Sequence, residues 1–270
     1  MQKTLPTKPE SVHEERQIPD ALSFSRPSLI RLTNLEAVKL ASTRSGFWLL
    51  ICIAVVVLGV MSAVFAAPAG TRSASMFLTV GSGLASVLLP ICAIISVTAE
   101  WSQRSVLTTF ALVPQRHRIT LAKTLALLTL AVVGTAVLAL SAVLMNAISA
   151  AAFDAPDGTW DLEWSHIGGV WLGISLSMLI GVAFGTFFMN PASAIVIYLV
   201  LPLMWSLVSQ LVTALADASK WLDTSLTFRP LLDGTIDGSQ EWAKVAVSST
   251  LWVFVPLILG ILRTFRREIK

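Results

Sequence analysis

The sequence predicts an all-α membrane protein with six transmembrane helices. Hydrophobic residues make up 55% of the 270 residues and charged residues only 13%, roughly half of the ~25% that is typical of soluble domains. Several stretches carry no charge over the ~20 residues that a helix needs to cross a bilayer. Basic residues are concentrated in the segments that six crossings would place on one side. Together these observations favour a multi-pass membrane protein over a soluble enzyme, a disordered chain or a disulfide scaffold.

The charge-free stretches define the individual spans. Four of them have the length of one crossing each, but the stretch 167–216 contains 50 residues without a charge, which is too long for a single membrane helix. Asn190 and Pro191 divide this stretch, because proline suits the first position of a helix and asparagine suits the capping position before it. The predicted spans are 47–67, 74–98, 124–152, 167–189, 191–214 and 245–262.

The distribution of Lys and Arg predicts the orientation. Six crossings place the tail before residue 47, the loop between spans two and three, and the C-terminal segment on one side, and these segments hold 15 of the 19 basic residues. This side is therefore expected to be cytoplasmic, with both termini on it and the chain in the cell membrane. Residues 1–28 are expected to be a disordered tail. The region 217–244 mixes aromatic and charged residues, which favours a short interfacial helix followed by a loop.

The sequence lacks the residues that several kinds of membrane-protein chemistry require. None of the predicted spans contains Asp, Glu, Lys, Arg or His, whereas proton- and ion-driven transporters generally keep such groups at membrane depth. No Gly-Lys pair occurs in the sequence, so the phosphate-binding P-loop is missing and any ATP must be bound by another chain. Two cysteines and three scattered histidines predict neither a disulfide framework nor a metal site, and a net charge of +3 does not indicate a nucleic-acid partner. No cofactor and no catalytic residue are expected in this chain.

The loop between spans two and three carries the most informative motif. Val106 and Phe110 lie on one face of a short predicted helix, with Glu100 and Arg104 at the favourable i,i+4 spacing and Pro114 ending it. Basic residues follow. Such a helix suits either lipid headgroups or the groove of a partner protein. The residues singled out in this segment are Glu100, Arg104, Val106, Phe110, Pro114, Arg116 and Lys123.

This motif and a second segment, before span one, resemble those of permease subunits of ABC type-2 transporters. The segment before span one carries Glu36, Lys39 and Arg44. In the loop between spans two and three, the order of acidic residue, Arg, Pro, Arg and Lys is similar to that of the family. One departure is that Ser105 and Val106 follow Arg104, where family members often have Gly-Thr. The resemblance covers residues 29–270 and implies a six-span permease domain that pairs with a second permease copy or a paralogue.

The resemblance also implies how the two segments work. The loop 100–123 would be a coupling helix that docks on a separate ATPase subunit, and the pre-span segment would lie along the lipid interface as a helix. ATP would bind to the ATPase, and export is expected rather than import. From the residues alone, the pre-span segment has poor amphipathicity, so a helix and an irregular segment both remain open. The alternatives to a permease are a non-transport scaffold or sensor subunit and, disfavoured by the charge-free spans, a secondary transporter.

Span four contains a stripe of small residues at steps of four. Glycines at such spacing let two helices approach closely. The stripe consists of Gly169, Gly173, Ser177, Gly181 and Gly185. It predicts close helix packing, either within the chain or between subunits.

Overall fold

The computed structural model describes residues 28–68, 71–102, 116–152 and 160–267, and within these ranges the chain is helical without a strand. Helix α1 (Leu29–Ser42) precedes the bundle. It is followed by α2 (Arg44–Ser62, extended by a 3₁₀ turn to Ala66), α3 (Ala74–Ser102), α4 (Arg116–Ala152), α5 (Trp164–Phe188) and α6 (Pro191–Leu211). Short helices α7 (Thr213–Leu222), α8 (Thr224–Thr227) and α9 (Arg229–Leu232) lead to α10 (Ser239–Ser249), a π turn (Thr250–Phe254) and α11 (Val255–Arg267).

Within the described ranges, six helical stretches are long and apolar enough to cross a membrane, as predicted. Their bounds are Arg44–Ala66, Ala74–Ala99, Thr120–Ala152, Trp164–Phe188, Pro191–Leu211 and Ser239–Arg263. The chain therefore has the features of a multi-pass membrane protein. The sixth stretch begins at Ser239 rather than at the predicted residue 245. The prediction was limited to a charge-free stretch, whereas the first turns of this helix include Glu241 and Lys244. Glu241 accepts a hydrogen bond from the amide of Asp237 at 2.7 Å and so stabilises the start of this helix.

The helix break predicted at Asn190 and Pro191 is present. Helix α5 ends at Phe188, and Met189 adopts the left-handed conformation with φ 54°. The Asn190 side chain then accepts a hydrogen bond from the amide of Ser193 at 3.2 Å, with Pro191 in the first turn of α6. The cap and the proline explain why the long apolar stretch forms two helices rather than one.

The region between spans five and six differs from the prediction of one short helix and a loop. Span five ends at Leu211 rather than at 214, and three short helices follow. Asp223 caps α8 by accepting a hydrogen bond from the amide of Ser225 at 2.8 Å. Gly234, with φ 68°, then turns the chain beneath the ring of His166. The extra helices depend on such caps and on packing, which composition does not reveal.

Helix α5 lies at the centre of the bundle. Fourteen of its residues are buried, whereas α6 buries only Ala194 and Ser209. The main apolar core joins residues of α2, α3, α4 and α5, and a second one joins α5 to α9 and the π turn. We call the end of the bundle that holds Glu36, Lys123 and Arg263 the terminal end. The opposite end, which holds α7–α9, is called the far end.

Candidate functional site

The two segments singled out from the sequence meet at the terminal end in a charged junction formed by Glu36, Lys39 and Lys123. Helix α1 supplies Glu36 and Lys39, and Lys39 donates to Glu36 Oε1. Helix α4 supplies Lys123, whose Nζ lies 3.8 Å from Glu36 Oε2 and donates to the carbonyl oxygen of Ser96 in α3 at 3.0 Å. The junction therefore connects three helices through one carboxylate and one ammonium group.

The two ion pairs of this junction differ in strength, because their side chains differ in burial. The side chains of Glu36 and Lys123 are only 12% and 7% exposed, whereas that of Lys39 is 62% exposed. A buried charge is costly unless it is paired, so Glu36 and Lys123 depend on each other. The exposed Lys39 contributes little by comparison, since water competes with its ion pair.

Helix α1 has an unusual distribution of polarity. Glu36 is its buried residue, while Ile30, Leu35 and Val38 are 75%, 51% and 60% exposed. This arrangement is the reverse of that on a helix bordering water, where apolar residues face inward. The exposed surface of α1 thus carries apolar side chains together with the charged Arg31 and Lys39.

The ends of α1 are set by hydroxyl caps. The amide of Arg31 donates to Ser28 Oγ at 3.3 Å, and the amide of Gly46 donates to Thr43 Oγ1 at 3.3 Å. Thr43 thereby ends α1 and begins α2, so that only one residue separates the two helices. Arg44 stands in the first turn of α2, is exposed and lies outside the junction as defined above.

A cavity of about 430 Å³ lies next to the junction. Glu36, Lys39 and Lys123 line one part of it, and Leu49 and Cys92 line the apolar part. The cavity lies where α1, α2, α3 and α4 approach one another, so the junction has free space beside it.

The other predicted coupling residues are placed only in part. Glu100 lies in the last turn of α3 and Arg116 begins α4. Arg104, Val106, Phe110 and Pro114 lie outside the described residues. The segment that contains them is flanked in the sequence by α3, which carries Ser96, and by α4, which carries Lys123. The junction therefore joins the two helices between which the predicted coupling segment lies.

The small-residue stripe of α5 makes close contacts within the chain. A Cβ atom added to Gly181 would lie 2.6 Å from the carbonyl oxygen of Pro90 in α3, and one added to Gly185 would lie 3.3 Å from Val97 Cβ. Toward the far end, a Cβ on Gly169 would lie 2.5 Å from the carbonyl oxygen of Leu231 in α9. One on Gly173 would lie 2.9 Å from Leu232 Cδ2 and 3.7 Å from Leu231 Cβ, both side-chain atoms.

The stripe therefore packs α5 against two different elements, which are α3 near the terminal end and α9 near the far end. These contacts lie within one chain, which is one of the two arrangements left open by the sequence. Gly168, off the stripe, has open space where its Cβ would be.

Two contacts of α11 were missed by the sequence analysis. A Cβ on Gly260 would lie 2.9 Å from the backbone nitrogen of Phe187, and Arg263 Nη1 donates to the carbonyl oxygen of Phe187 at 2.9 Å. The signal available in the sequence was a single glycine, Gly260, one turn before the basic Arg263. Because Phe187 is at the C-terminal end of α5, the arginine satisfies a carbonyl that the ending helix leaves free.

At the far end, Asp161 joins the start of α5 to the start of α3. Its carboxylate accepts hydrogen bonds from the amide of Ser75 at 3.1 Å and from the Ser75 hydroxyl at 2.6 Å. Loss of hydration raises the pKa of Asp161, but the hydrogen bonds from Ser75 and Ser73 outweigh it and hold the pKa below its usual value. The link is therefore present at neutral pH and weakens as the carboxylate is protonated in acid.

No protein-family model matches the chain. No curated protein matches it either. In the part of the chain that the structure describes, no group of three or more His, Cys, Asp or Glu side chains could hold a metal ion.

Proposed function

We propose that the chain is the membrane-spanning subunit of an ATP-binding-cassette exporter, driven by a separate ATPase that docks on the loop 100–123. The observation that carries this proposal is the charged junction. Glu36 of the pre-span helix pairs with Lys123 of the helix that follows the loop, so the two segments in which the chain resembles ABC type-2 permeases are in contact. ATP is bound by the partner, and this chain supplies no catalytic residue and binds no cofactor.

The coupling follows from the way the helices are joined. Binding of ATP to the partner moves the loop, and α3 and α4 move with it because the loop connects them. The junction passes this motion to α1, and the contact of Gly181 with Pro90 passes it from α3 to the central helix α5. Rigid helices in close contact transmit such displacements over the thickness of a membrane. A second permease copy or a paralogue completes the transport pathway.

In this proposal the terminal end faces the cytoplasm, where the segments with 15 of the 19 basic residues lie. The exposed apolar side chains of α1 rest against lipid at this interface. The far end, with its three short helices α7–α9, faces outward.

The orientation predicts the labelling of single cysteines in a chain whose own cysteines are replaced. Gly158→Cys lies in the loop between spans three and four and is expected to react with an impermeant maleimide added to intact cells. Gln115→Cys lies in the loop between spans two and three and is expected to react only after the membrane is permeabilised. Labelling of both positions in intact cells contradicts the topology.

The docking segment predicts a difference between two substitutions. Burial of a phenylalanine in a groove contributes about 2 kcal/mol, whereas an exposed ion pair contributes at most about 1 kcal/mol. At about 1.4 kcal/mol for each factor of ten, we expect Phe110→Asp to weaken the association with the ATPase by about thirtyfold and Arg104→Ala by about fivefold or less, so that far less ATPase co-purifies with the first variant. The ratio of the two proteins, measured by quantitative mass spectrometry, checks this expectation. An equal or larger loss with Arg104→Ala shows that charge rather than apolar burial holds the partner.

A further inference from the structure

A cavity of about 690 Å³ extends from the far end into the bundle between α3, α5 and α6. Its inner wall is apolar and includes Val87, Ile180 and Leu203. Helices α7–α9 and the π turn border its outer part. A cavity of this size, with an apolar wall and a few polar groups, has the features of a site for a small organic molecule.

Aromatic residues form a large part of the wall. They are Phe184, Tyr198, Trp205, Phe228 and Trp252. Phe184 lies with its ring centre 6.4 Å from those of Tyr198 and Trp252, in edge-on contact with both. Phe184, Tyr198 and Trp252 thus form a connected group of rings. The faces of aromatic rings carry negative electrostatic potential and attract cations.

The polar groups of two of these rings already have hydrogen-bond partners within the chain. Tyr198 donates its hydroxyl hydrogen to the carbonyl oxygen of Ser86 at 3.2 Å, and Trp252 Nε1 donates to the carbonyl oxygen of Leu222 at 2.7 Å. The hydrogen bonds fix the ring positions and leave the ring surfaces for apolar and cation–π contacts.

The charged residues of the lining leave one negative charge uncompensated. Arg229 Nε lies 3.2 Å from Asp233 Oδ2, so these two charges pair with each other. Asp223 also lines the cavity, is 4% exposed and accepts the amide hydrogen of Ser225. Within the described ranges, no Lys, Arg or His group is within ion-pair distance of Asp223. The carboxylate thus has a hydrogen-bond donor but no counter-charge.

We propose that this cavity binds lipophilic organic cations. The aromatic and aliphatic wall covers the apolar body of the ligand, and Asp223 compensates its positive charge. An anion of the same shape gains the apolar contacts but is repelled by the carboxylate. The inference deepens the proposed function by naming a substrate class for an exporter, and to that extent it rests on it. Binding itself requires neither ATP nor the ATPase.

Binding is tested on the purified full-length chain in phosphatidylcholine nanodiscs, without ATP. Two radiolabelled probes of the same shape and opposite charge are compared, tetraphenylphosphonium and tetraphenylborate, and binding to empty nanodiscs is subtracted. The expected result is saturable binding of the phosphonium and at least about tenfold weaker binding of the borate. Equal binding of the two probes, or no phosphonium binding above the empty discs, overturns the proposal.

Two substitutions of the same kind test the role of the carboxylate. Asp223→Asn removes the charge and keeps an oxygen that accepts the Ser225 amide hydrogen, so the cap of α8 is preserved. Asp217→Asn removes a charge that is exposed, paired with Lys220 and outside the cavity lining. We expect about tenfold weaker phosphonium binding for Asp223→Asn and less than a twofold change for Asp217→Asn. The same loss in both variants shows that general surface charge, not this site, attracts the probe.

A third variant blocks the cavity without touching a charge. Gly83 lines the cavity, and a Cβ added to it would meet no atom within 4 Å. A side chain at this position can therefore begin without meeting another helix, and the leucine of Gly83→Leu is expected to extend into the cavity. It is expected to abolish phosphonium binding, whereas Gly168→Leu, also in open space but outside the lining, leaves it intact. Unchanged binding to Gly83→Leu places the probe elsewhere. Failure of these binding tests leaves the proposed ATPase docking untouched, because none of them involves the loop 100–123.

Discussion

Gly181→Leu is expected to destabilise the chain by about 3 kcal/mol or more, the upper range for forcing additional atoms into a packed core. Even the first added atom would lie 2.6 Å from the carbonyl oxygen of Pro90 and 3.2 Å from Ala93 Cβ. The carbonyl belongs to the backbone of α3 and cannot move aside by a rotamer change, so the two helices must separate. Since α5 and α3 form much of the main core, the loss of contact extends beyond the substituted residue.

Thermal unfolding of purified variants in one detergent measures this effect. Gly168→Leu is the matched control, because it adds the same side chain to the same helix in open space. Among alanine substitutions, Gly169→Ala is expected to be more damaging than Gly173→Ala. The former meets the backbone oxygen of Leu231, and the latter meets the flexible end of the Leu232 side chain. If Gly168→Leu lowers the unfolding temperature as much as Gly181→Leu, the stripe has no special role in packing.

Lys123→Met is expected to destabilise the chain by about 3 kcal/mol, the usual cost of leaving one member of a buried ion pair without its partner. The substitution removes the buried one of the two counter-charges of Glu36, which is 12% exposed, and leaves it only the exposed Lys39. It also removes the hydrogen bond to the carbonyl oxygen of Ser96. Lys39→Met breaks the other ion pair of Glu36, but Lys39 is largely exposed, so its loss is expected to cost about 1 kcal/mol or less.

The double variant Glu36→Gln/Lys123→Met tests whether charge pairing is the cause. Removing both charges leaves neither Glu36 nor Lys123 as a buried charge that has lost the other, so much of the lost stability is expected to return. Chemical unfolding monitored by tryptophan fluorescence provides the comparison. A loss for Lys39→Met that equals the loss for Lys123→Met, or a double variant that is less stable than Lys123→Met alone, would contradict this view of the junction.

The number of spans could be predicted from the sequence because it depends on a single physical requirement, an apolar length that matches the bilayer. The break at Asn190 and Pro191 was equally accessible, since capping and proline geometry are local. The helices α7–α9 were not, because they are 10 residues or fewer and are stabilised by contacts such as that between Leu231 and Gly169. Isolated helices of that length are unstable in water, so their sequences carry a weak signal.

The sites show the same division between local and long-range information. Glu36, Lys39 and Lys123 were each singled out from motifs, but their meeting depends on the packing of α1 against α4, across more than 80 residues of sequence. The participation of the Ser96 carbonyl had no sequence signal, since every residue has such a group. The far-end cavity draws its wall from at least five helices, and Asp223 became notable only when its burial and lack of a counter-charge were known.

Docking of a separate ATPase on the loop 100–123 can be detected with a photo-crosslinker at position 110. Phe110 is replaced by benzoylphenylalanine in the full-length chain, and cells are irradiated before purification. Val137, 53% exposed in the middle of α4, carries the same replacement as the control. We expect a covalent product at position 110 that contains one ATPase with a Walker motif, and none at position 137. Products with lipid alone at position 110, or the same protein partner at both positions, would contradict it.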